Sequence, residues 1–330
     1  MNFCLWLSLA QADEVTRIPI KISVPGPRNL SYLPVDLIVP LGADRAEGLE
    51  VILTYTGGGG VALQQMANGT SDCAVAGMPA HLSLKARGGE IVTLAAVNDD
   101  PLFVLMVHSD LAGIIRTPAD LRGHVVGVNS SSVVSKTTSQ QLAELILKND
   151  GLDLQDVKIV PAGQSWQEQS TAIISHKVDA IMGDEPFASR LQDEGKVFFL
   201  VNLADPATTR RLPGGNFLHA ALACRPDTVK REPEKIKRLV AVLRRVLTWI
   251  TAHPPEQLVT LLGVDNQEER RSLTKALKKY PNMYSKDGKF STRQIQETQT
   301  FFRNANSQDP AARALVVESM VEDRWAGRRD

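Results

Sequence analysis

A chain of 330 residues is longer than a single small module needs and has room for about two cores at roughly 100 to 200 residues each. Lys+Arg and Asp+Glu stand at 37 each, with 22% charged and 43% hydrophobic residues, which argues against a disordered chain and against the basic surplus of a nucleic-acid binder. The balance is that of a globular protein.

The first segment, Met1 to Ala12, is a short apolar run that closes on Ala10-Gln11-Ala12 ahead of the first charge at Asp13. A small-x-small triplet after an apolar stretch is the pattern of a secretory signal, and the run falls short of the ~20 residues that a membrane span needs. It lacks a positive n-region, so residues 1–12 are expected to be a signal-peptide remnant whose true start lies upstream; a buried N-terminal strand or helix is the alternative. Cleavage after Ala12 removes Cys4 and leaves Cys73 and Cys224, an even count that suits an oxidising compartment. Position 13 is Asp rather than Cys, which argues against a lipid anchor. The expected location is periplasmic or extracytoplasmic.

From residue 18 onward, short β-branched runs alternate with helix-length segments, the signature of an α/β fold. Ile18 to Val24, Glu50 to Tyr55, Cys73 to Ala76 and Ile91 to Val97 read as strands of a first lobe, with helices at Tyr32 to Leu41, Val61 to Asn68 and Ala80 to Arg87. A second lobe takes its strands from His124 to Val128, Lys158 to Val160, Asp179 to Met182 and Val197 to Val201. Its helices are expected near Ser135 to Asn149, Gln167 to Ser175 and Pro186 to Asp193. Two apolar runs, Leu102 to His108 and Phe217 to Cys224, fall where one pattern gives way to the other and are read as the interlobe connections. The expected division is a discontinuous first lobe, residues 13–106 and 218–330 with the C-terminal helices, and an inserted second lobe, residues 107–217. Beyond Pro226, Ile236, Leu239, Val240, Leu243, Val246, Leu247 and Ile250 form one apolar helix stripe; further helices are expected at Gln267 to Lys279 and Thr292 to Asn304.

Ligands of open α/β sheets bind outside the carboxyl ends of the parallel strands, so the informative residues are those that follow each strand. In the first lobe these are Pro25-Gly26-Pro27-Arg28-Asn29, Thr56-Gly57-Gly58-Gly59-Gly60 and Gly77-Met78-Pro79. In the second they are Asn129-Ser130-Ser131-Ser132, Gly163-Gln164-Ser165-Trp166 and Gly183-Asp184-Glu185-Pro186. All are expected to line one interlobe cleft. The glycine run lets backbone approach a ligand, or simply turns the chain; Val61-Ala62 after Gly60 excludes a Walker phosphate loop, and no G-x-G-x-x-G opens the first crossover. The serine run precedes a helix, where capping accounts for at least one hydroxyl and three together favour ligand contact. Asp184 and Glu185 have the chemistry of an acid–base pair, but no His, Cys or metal-ligand cluster accompanies them in sequence. The six histidines, at positions 81, 108, 124, 176, 219 and 253, show no H-x-x-x-H or H-x-H spacing, so no metal site is expected. Arg28 is the one cation of the first-lobe loops: facing the cleft it implies an anionic ligand, facing solvent it implies nothing.

The segments "LQQMANGTSDCAVAGMPA", "PADLRGHVVGVNSSS", "NDGLDLQDVKIVPAG" and "ISHKVDAIMGDEPFASRL" resemble, in order and spacing, the NMT1/THI5-like family of substrate-binding proteins, relatives of the sulfonate, nitrate, taurine and pyrimidine binders of ABC importers. The resemblance runs from about Ile18 to His253. It implies the type II periplasmic binding protein fold, two α/β lobes joined by two crossover strands, with ligand contacts at Gly59, Gly60, Gly77, Met78, Ser131, Ser132, Asp184 and Glu185. Arg28, Asn29 and Trp166 join these on loop position. Met78 stands where the family often has Ser or Thr, which removes one polar contact for an anionic head group.

The implied function is that of an SsuA-like, monomeric solute-binding protein. It would close by hinge motion around a small molecule, anionic or heteroaromatic, and deliver it to an ABC permease and ATPase complex, without enzymatic activity, cofactor, metal or nucleic acid. Two alternatives remain: a ligand-sensing protein that feeds a membrane sensor, and an enzyme like the family's yeast-type pyrimidine synthase of thiamine biosynthesis. That branch uses a CCCFC motif with iron and consumes its own active-site histidine; no such motif occurs here. The fold also implies that Cys73 and Cys224 lie on adjacent antiparallel strands, either as a cross-strand disulfide or as buried thiols.

Overall fold

The computed structural model describes residues 17–134 and 136–329; the expected signal segment, residues 1–12, lies outside them. In chain order the strands that build the two main sheets are β1 (Ile18–Val24), β2 (Leu49–Tyr55), β3 (Cys73–Gly77), β4 (Val92–Asn98), β5 (Phe103–His108), β6 (Val125–Val128), β7 (Lys158–Pro161), β8 (Ala180–Asp184), β9 (Val197–Asn202) and β10 (Ala220–Cys224). The principal helices are α1 (Gly59–Ala67), α2 (Met78–Ala86), α3 (Thr138–Asn149), α4 (Trp166–Ile174), α5 (Phe187–Asp193), α6 (Pro233–Ala252), α7 (Pro255–Leu261), α8 (Gln267–Lys279) and α9 (Thr292–Ala305).

One sheet has the order β2-β1-β3-β10-β4 and the other β7-β6-β8-β5-β9. Within each, a parallel trio, β2-β1-β3 or β7-β6-β8, is followed by one antiparallel strand, β10 or β5. Both antiparallel strands are buried along their whole length, as is β3. Strands covered on both faces read as unbroken apolar runs. That is why Leu102 to His108 and Phe217 to Cys224 stand out in the sequence. They are the strands that receive the chain after each crossing, rather than the crossings themselves. β5 pairs with β8 and β9 in the second sheet, so the first crossing is the segment 99–102, and a limit at 106/107 would cut this strand. The return crossing is the segment 203–219, after β9 and before β10.

Helices cover both faces of each sheet. The α6 stripe predicted from spacing packs with Ile20, Ile22, Val75 and Leu222 on one face of the first sheet, and Leu63 of α1, Leu82 of α2 and Phe302 of α9 pack on the other. In the second sheet Val126 and Met182 meet Leu142 and Ile146 of α3 on one face, while Ile173 of α4 and Leu191 of α5 lie on the other. The helix α9 serves both lobes: Ile295 and Phe302 join the first-lobe core, whereas Phe301 stacks on Phe217, ring centroids 4.4 Å apart, in a cluster with Phe103 and Leu142. Tyr32 to Leu41, expected as one helix, is instead a 3-10 turn at Leu30–Tyr32 and a single α turn at Leu33–Asp36. Pro40 has no N–H to continue a helix, and Gly42 takes a left-handed φ of 65° that redirects the chain.

Cys73 and Cys224 lie directly opposite each other on β3 and β10, both fully buried, and form a disulfide. The bond spans 151 residues of sequence, which places the whole second lobe within the loop it closes. In the chain-entropy picture such a loop is worth about 5 kcal/mol, and losing a native disulfide typically costs about 2–5 kcal/mol. Urea melts of the oxidised and reduced protein are expected to differ by that amount. Equal midpoints, or free thiols at both positions in the denatured oxidised chain, would contradict the bond.

Candidate ligand-binding cleft

The polar loops after the parallel strands of the two sheets meet face to face. The Ser131 N–H donates to the Gly57 carbonyl at 2.7 Å, and the Asn29 side-chain amide donates to Asp184 Oδ2 at 2.7 Å, each bond running from one lobe to the other. The approach is too close for side chains at two glycines. A Cβ on Gly57, where φ is 81°, would fall 2.7 Å from Ser131 Oγ, and one on Gly77 would overlap Thr138 Oγ1. At the rim, Arg190 of α5 pairs with Glu268 of α8 at 2.8 Å, and Lys275 of α8 pairs with Asp193 of α5. Pairs this exposed contribute little, so closure is decided by the interior.

Behind these contacts lies a small polar cavity of about 10 Å³, room for about one water. The first lobe contributes Asn29, Tyr32 and Gly59; the second contributes Phe103, Asn129, Thr137, Thr138, Ser139, Gln164 and Asp184. Local geometry fixes several of these groups. Asn29 caps the turn at Leu30–Tyr32 by accepting from Ser31 N at 2.9 Å, which aims its amide at Asp184. Gln164 donates through Nε2 to the Asn129 carbonyl, which leaves Oε1 as its free end. Thr137 caps α3, accepting from Gln140 N at 3.4 Å. Four buried side-chain atoms of this cavity, Asn129 Oδ1, Thr138 Oγ1, Gln164 Oε1 and Asp184 Oδ1, have no hydrogen-bond partner among the described residues. Buried polar atoms are nearly always paired, with protein or with ordered water, so four unpaired atoms around one cavity make it the place in the seam where a small molecule would find partners.

Burial pushes the Asp184 carboxyl up to about 7, with the neighbouring Glu185 adding to the rise and the Asn29 hydrogen bond opposing it. Burial, and then the Asp184 charge, also push the Tyr32 phenol up. His219 stands just outside the cavity lining, its ring centroid 5.2 Å from that of Phe103 and 6.3 Å from that of Tyr32. It is fully buried with neither ring nitrogen bonded, and desolvation lowers it to about 3, so it is neutral.

The expected site residues separate into those that line this cavity and those that do not. Asn29, Gly59 and Asp184 line it, and the Gly77 backbone abuts Thr138 beside it. Gly60 is buried inside α1, and the Met78 side chain belongs to the first-lobe core beside Leu63. Ser131 is exposed and reaches Gly57 through its backbone, while Ser132 and Ser130 bond within their own loop. Glu185 turns the other way: its carboxylate accepts from Ser189 Oγ at 2.6 Å and from Tyr280 OH at 2.9 Å, tying α5 to α8. Arg28 and Trp166 lie in an outer groove, where Arg28 pairs with Glu269 at 2.9 Å and the Arg190 guanidinium sits 3.7 Å over the Trp166 ring. Arg28 is therefore half exposed and already paired, and the inference from it to an anionic ligand lapses.

Asn129 and Gln164 belong to loops that follow strands but not to the expected contacts, and Thr137 to Ser139 fall inside the helix expected near Ser135 to Asn149, which starts only at Thr138. Tyr32 and Phe103 carried no signal, since each reads as an apolar core residue. Sequence spacing also hid one cluster far from the cleft. His108, Asp110 and His176 converge near the opposite end of β5, their candidate ligand atoms within 4.8 Å of one another, although the two histidines come from separate segments.

Asp184 gives the stability profile a defined sign. The folded protein holds its proton up to about pH 7, whereas the unfolded chain releases it near the ordinary value of 3.8, so the Asp184 contribution to stability falls as pH rises between those limits, opposed below 6.5 by His81 and His219, which burial keeps neutral. Asp36, which burial pushes up to about 6, contributes in the same direction as Asp184. Asp184→Asn keeps an acceptor for Asn29 and is expected to gain stability relative to the wild type as pH rises through this range, with its advantage largest at neutral pH. Urea midpoints for both proteins at about pH 4.5 and 7.5 measure this; the same variant-minus-wild-type difference at both pH values would contradict it.

Comparison with known proteins supplies the family. The family model described as NMT1/THI5 like matches residues 45–257. Among curated proteins, the 4-amino-5-hydroxymethyl-2-methylpyrimidine phosphate synthase THI11 of Saccharomyces cerevisiae is 22% identical over 232 residues, which are 68% of this chain and 64% of the yeast protein. The chain thus spans less than two thirds of the length of the curated relatives it matches. Among solved structures, a protein of Bordetella bronchiseptica RB50 superposes with a TM-score of 0.84 at 22% identity, over 94% of this chain and 96% of that one. The alkanesulfonate-binding protein SsuA from Xanthomonas axonopodis pv. citri, bound to MOPS, superposes with a TM-score of 0.72 at 16% identity, over 92% and 98%. These likenesses establish the periplasmic binding protein fold. With the family model covering well over half of its residues, the chain belongs to the NMT1/THI5-like family.

Proposed function

We propose that this protein is the solute-binding component of an ABC importer, acting outside the cytoplasm as a monomer that captures one small molecule by hinge closure and hands it to a permease and ATPase complex. The observation that carries this reading is the buried polar cavity lined by both lobes, with orphaned hydrogen-bonding atoms at its centre. Binding modules of this fold trap a ligand between lobes that swing on their connections, here the segments 99–102 and 203–219. Residues 17–98 and 220–329 would form one moving body and 103–202 the other. The disulfide suits an oxidising compartment, and no helix among the described residues is long and apolar enough to cross a membrane.

As the lobes stand, the cavity has space for little more than one water, so a solute enters only when they part and is then held with them set wider apart than this. It then shifts the balance by binding the closed state better than the open one, and moving that equilibrium from 1:99 to 99:1 takes about 5.5 kcal/mol of differential affinity. A few hydrogen bonds to Asp184, Gln164, Asn129 and Thr138, which the closed protein leaves unmade, are of the right size to supply it.

Two measurements test the reading. Gly57→Ala puts a methyl group 2.7 Å from Ser131 Oγ and 3.1 Å from its Cβ in the closed form, so its liganded scattering radius is expected to stay near the open value and its affinity to fall by about tenfold or more, with Ser131→Gly restoring part of both. A wild-type radius in the single variant would count against closure at this contact. The second reading, an enzyme like the yeast synthases, is favoured by the curated relatives and opposed by the lack of a CCCFC run in the sequence. Solute recovered from the denatured complex is expected to have its original mass; a changed mass would favour the enzyme.

A further inference from the structure

We propose that the cleft selects a small neutral or cationic solute that donates hydrogen bonds from an amine- or amidine-type N–H group to Asp184, Gln164 and Asn129, and that it rejects oxyanions. This rests on the cleft-capture reading above and specifies its ligand class. The unpaired atoms of the cavity decide the matter. Gln164 Oε1, Asn129 Oδ1 and, once its carboxyl has lost its proton, Asp184 Oδ1 are acceptors, all buried and all without a donor among the described residues; the fourth unpaired atom, Thr138 Oγ1, can donate or accept. The polar group best placed to serve them is already engaged: Asn29 spends its amide on Asp184 Oδ2 and its oxygen on Ser31 N. The Gln164 assignment is fixed by its own Nε2, which donates to the Asn129 carbonyl. Each acceptor opposes closure until a donor arrives, and an oxyanion brings none.

Charge points the same way. Among the described residues no Lys, Arg or His side chain lines the cavity, and the two nearby guanidinium groups are held in the outer groove, Arg28 by Glu269 and Arg190 by Glu268 and the Trp166 ring. The first turns of α1 at Gly59 and of α3 at Thr138 also open on the cavity, with backbone N–H groups that have no partner within their helices. They suit an acceptor on the far edge of the same solute. Tyr32 and Phe103 add aromatic wall for its body. The pattern fits a compact molecule with N–H donors on one edge and an acceptor on the other.

The test is calorimetry with two probe sets: benzamidine, 2-aminopyridine and guanidinium against ethanesulfonate, methanesulfonate and nitrate. Binding of one donor-bearing probe per chain is expected, with Asp184→Asn and Gln164→Met each weakening it by about tenfold or more, the effect of losing a hydrogen bond to a buried polar or charged group. Oxyanion binding that shrinks the scattering radius, and that Asp184→Asn leaves unchanged or strengthens, would overturn the ligand class while leaving cleft capture intact. Donor-probe binding that ignores both substitutions would overturn it as well. Silence from both sets, with an unchanged radius, would take down the capture reading and this proposal together.

Discussion

The buried hydrogen bond from Asn29 to Asp184 is the point on which the closed arrangement turns. Each partner comes from the carboxyl end of a parallel strand, β1 in one sheet and β8 in the other, where the topology brings loops rather than side-chain-rich strand faces to the surface. Because both groups lie out of water, the bond forms only if the loops beside it can come together closely. Gly57 and Gly77 make that approach by having no side chain where Ser131 and Thr138 must sit. A carboxyl group placed so deep resists ionisation, and Asn29 offsets only part of that cost. The cavity around it combines a dense interlobe seam with acceptors that the protein itself does not satisfy.

That combination separates stability from function. Unpaired buried atoms at Asp184, Gln164 and Asn129 work against stability, and under the proposed reading they are positioned for another molecule. The hydrophobic clusters carry the fold independently of this seam, each sheet being covered on both faces by its own helices. The exception is α9, which packs into both lobes.

Much of the fold was legible because its determinants are local. Alternating strand and helix patterns placed most elements within a few residues, and the α6 stripe emerged from its three- and four-residue steps. The two apolar runs at the crossings were seen, but their role depended on which sheet they entered, a long-range fact that periodicity does not carry. The loops were legible as a set because glycines, serines and prolines cluster there. Which loop residues face inward was not, since that depends on the opposing lobe. Asp184 points into the cavity while its neighbour Glu185 caps Ser189 on α5, and nothing in the dipeptide distinguishes them. Arg28 illustrates the same limit: its partner, Glu269, lies 241 positions along the chain. Tyr32, Phe103 and His219 gather from three segments and resemble ordinary core residues until their neighbours are known.

The position of β10 between β3 and β4 has a consequence for how the chain is assembled as it emerges from the N-terminal end. Until residue 224 has appeared, β4 has no neighbour in its sheet, and Cys73 has no opposite number to oxidise with. All strands of the second sheet, by contrast, lie between residues 103 and 202 and are available earlier. The sheet of the inserted lobe can thus pair while its host is still short of two strands, with only the Phe217 and α9 side of its core to follow, and the late strand both completes the host sheet and seals the guest inside a covalent loop.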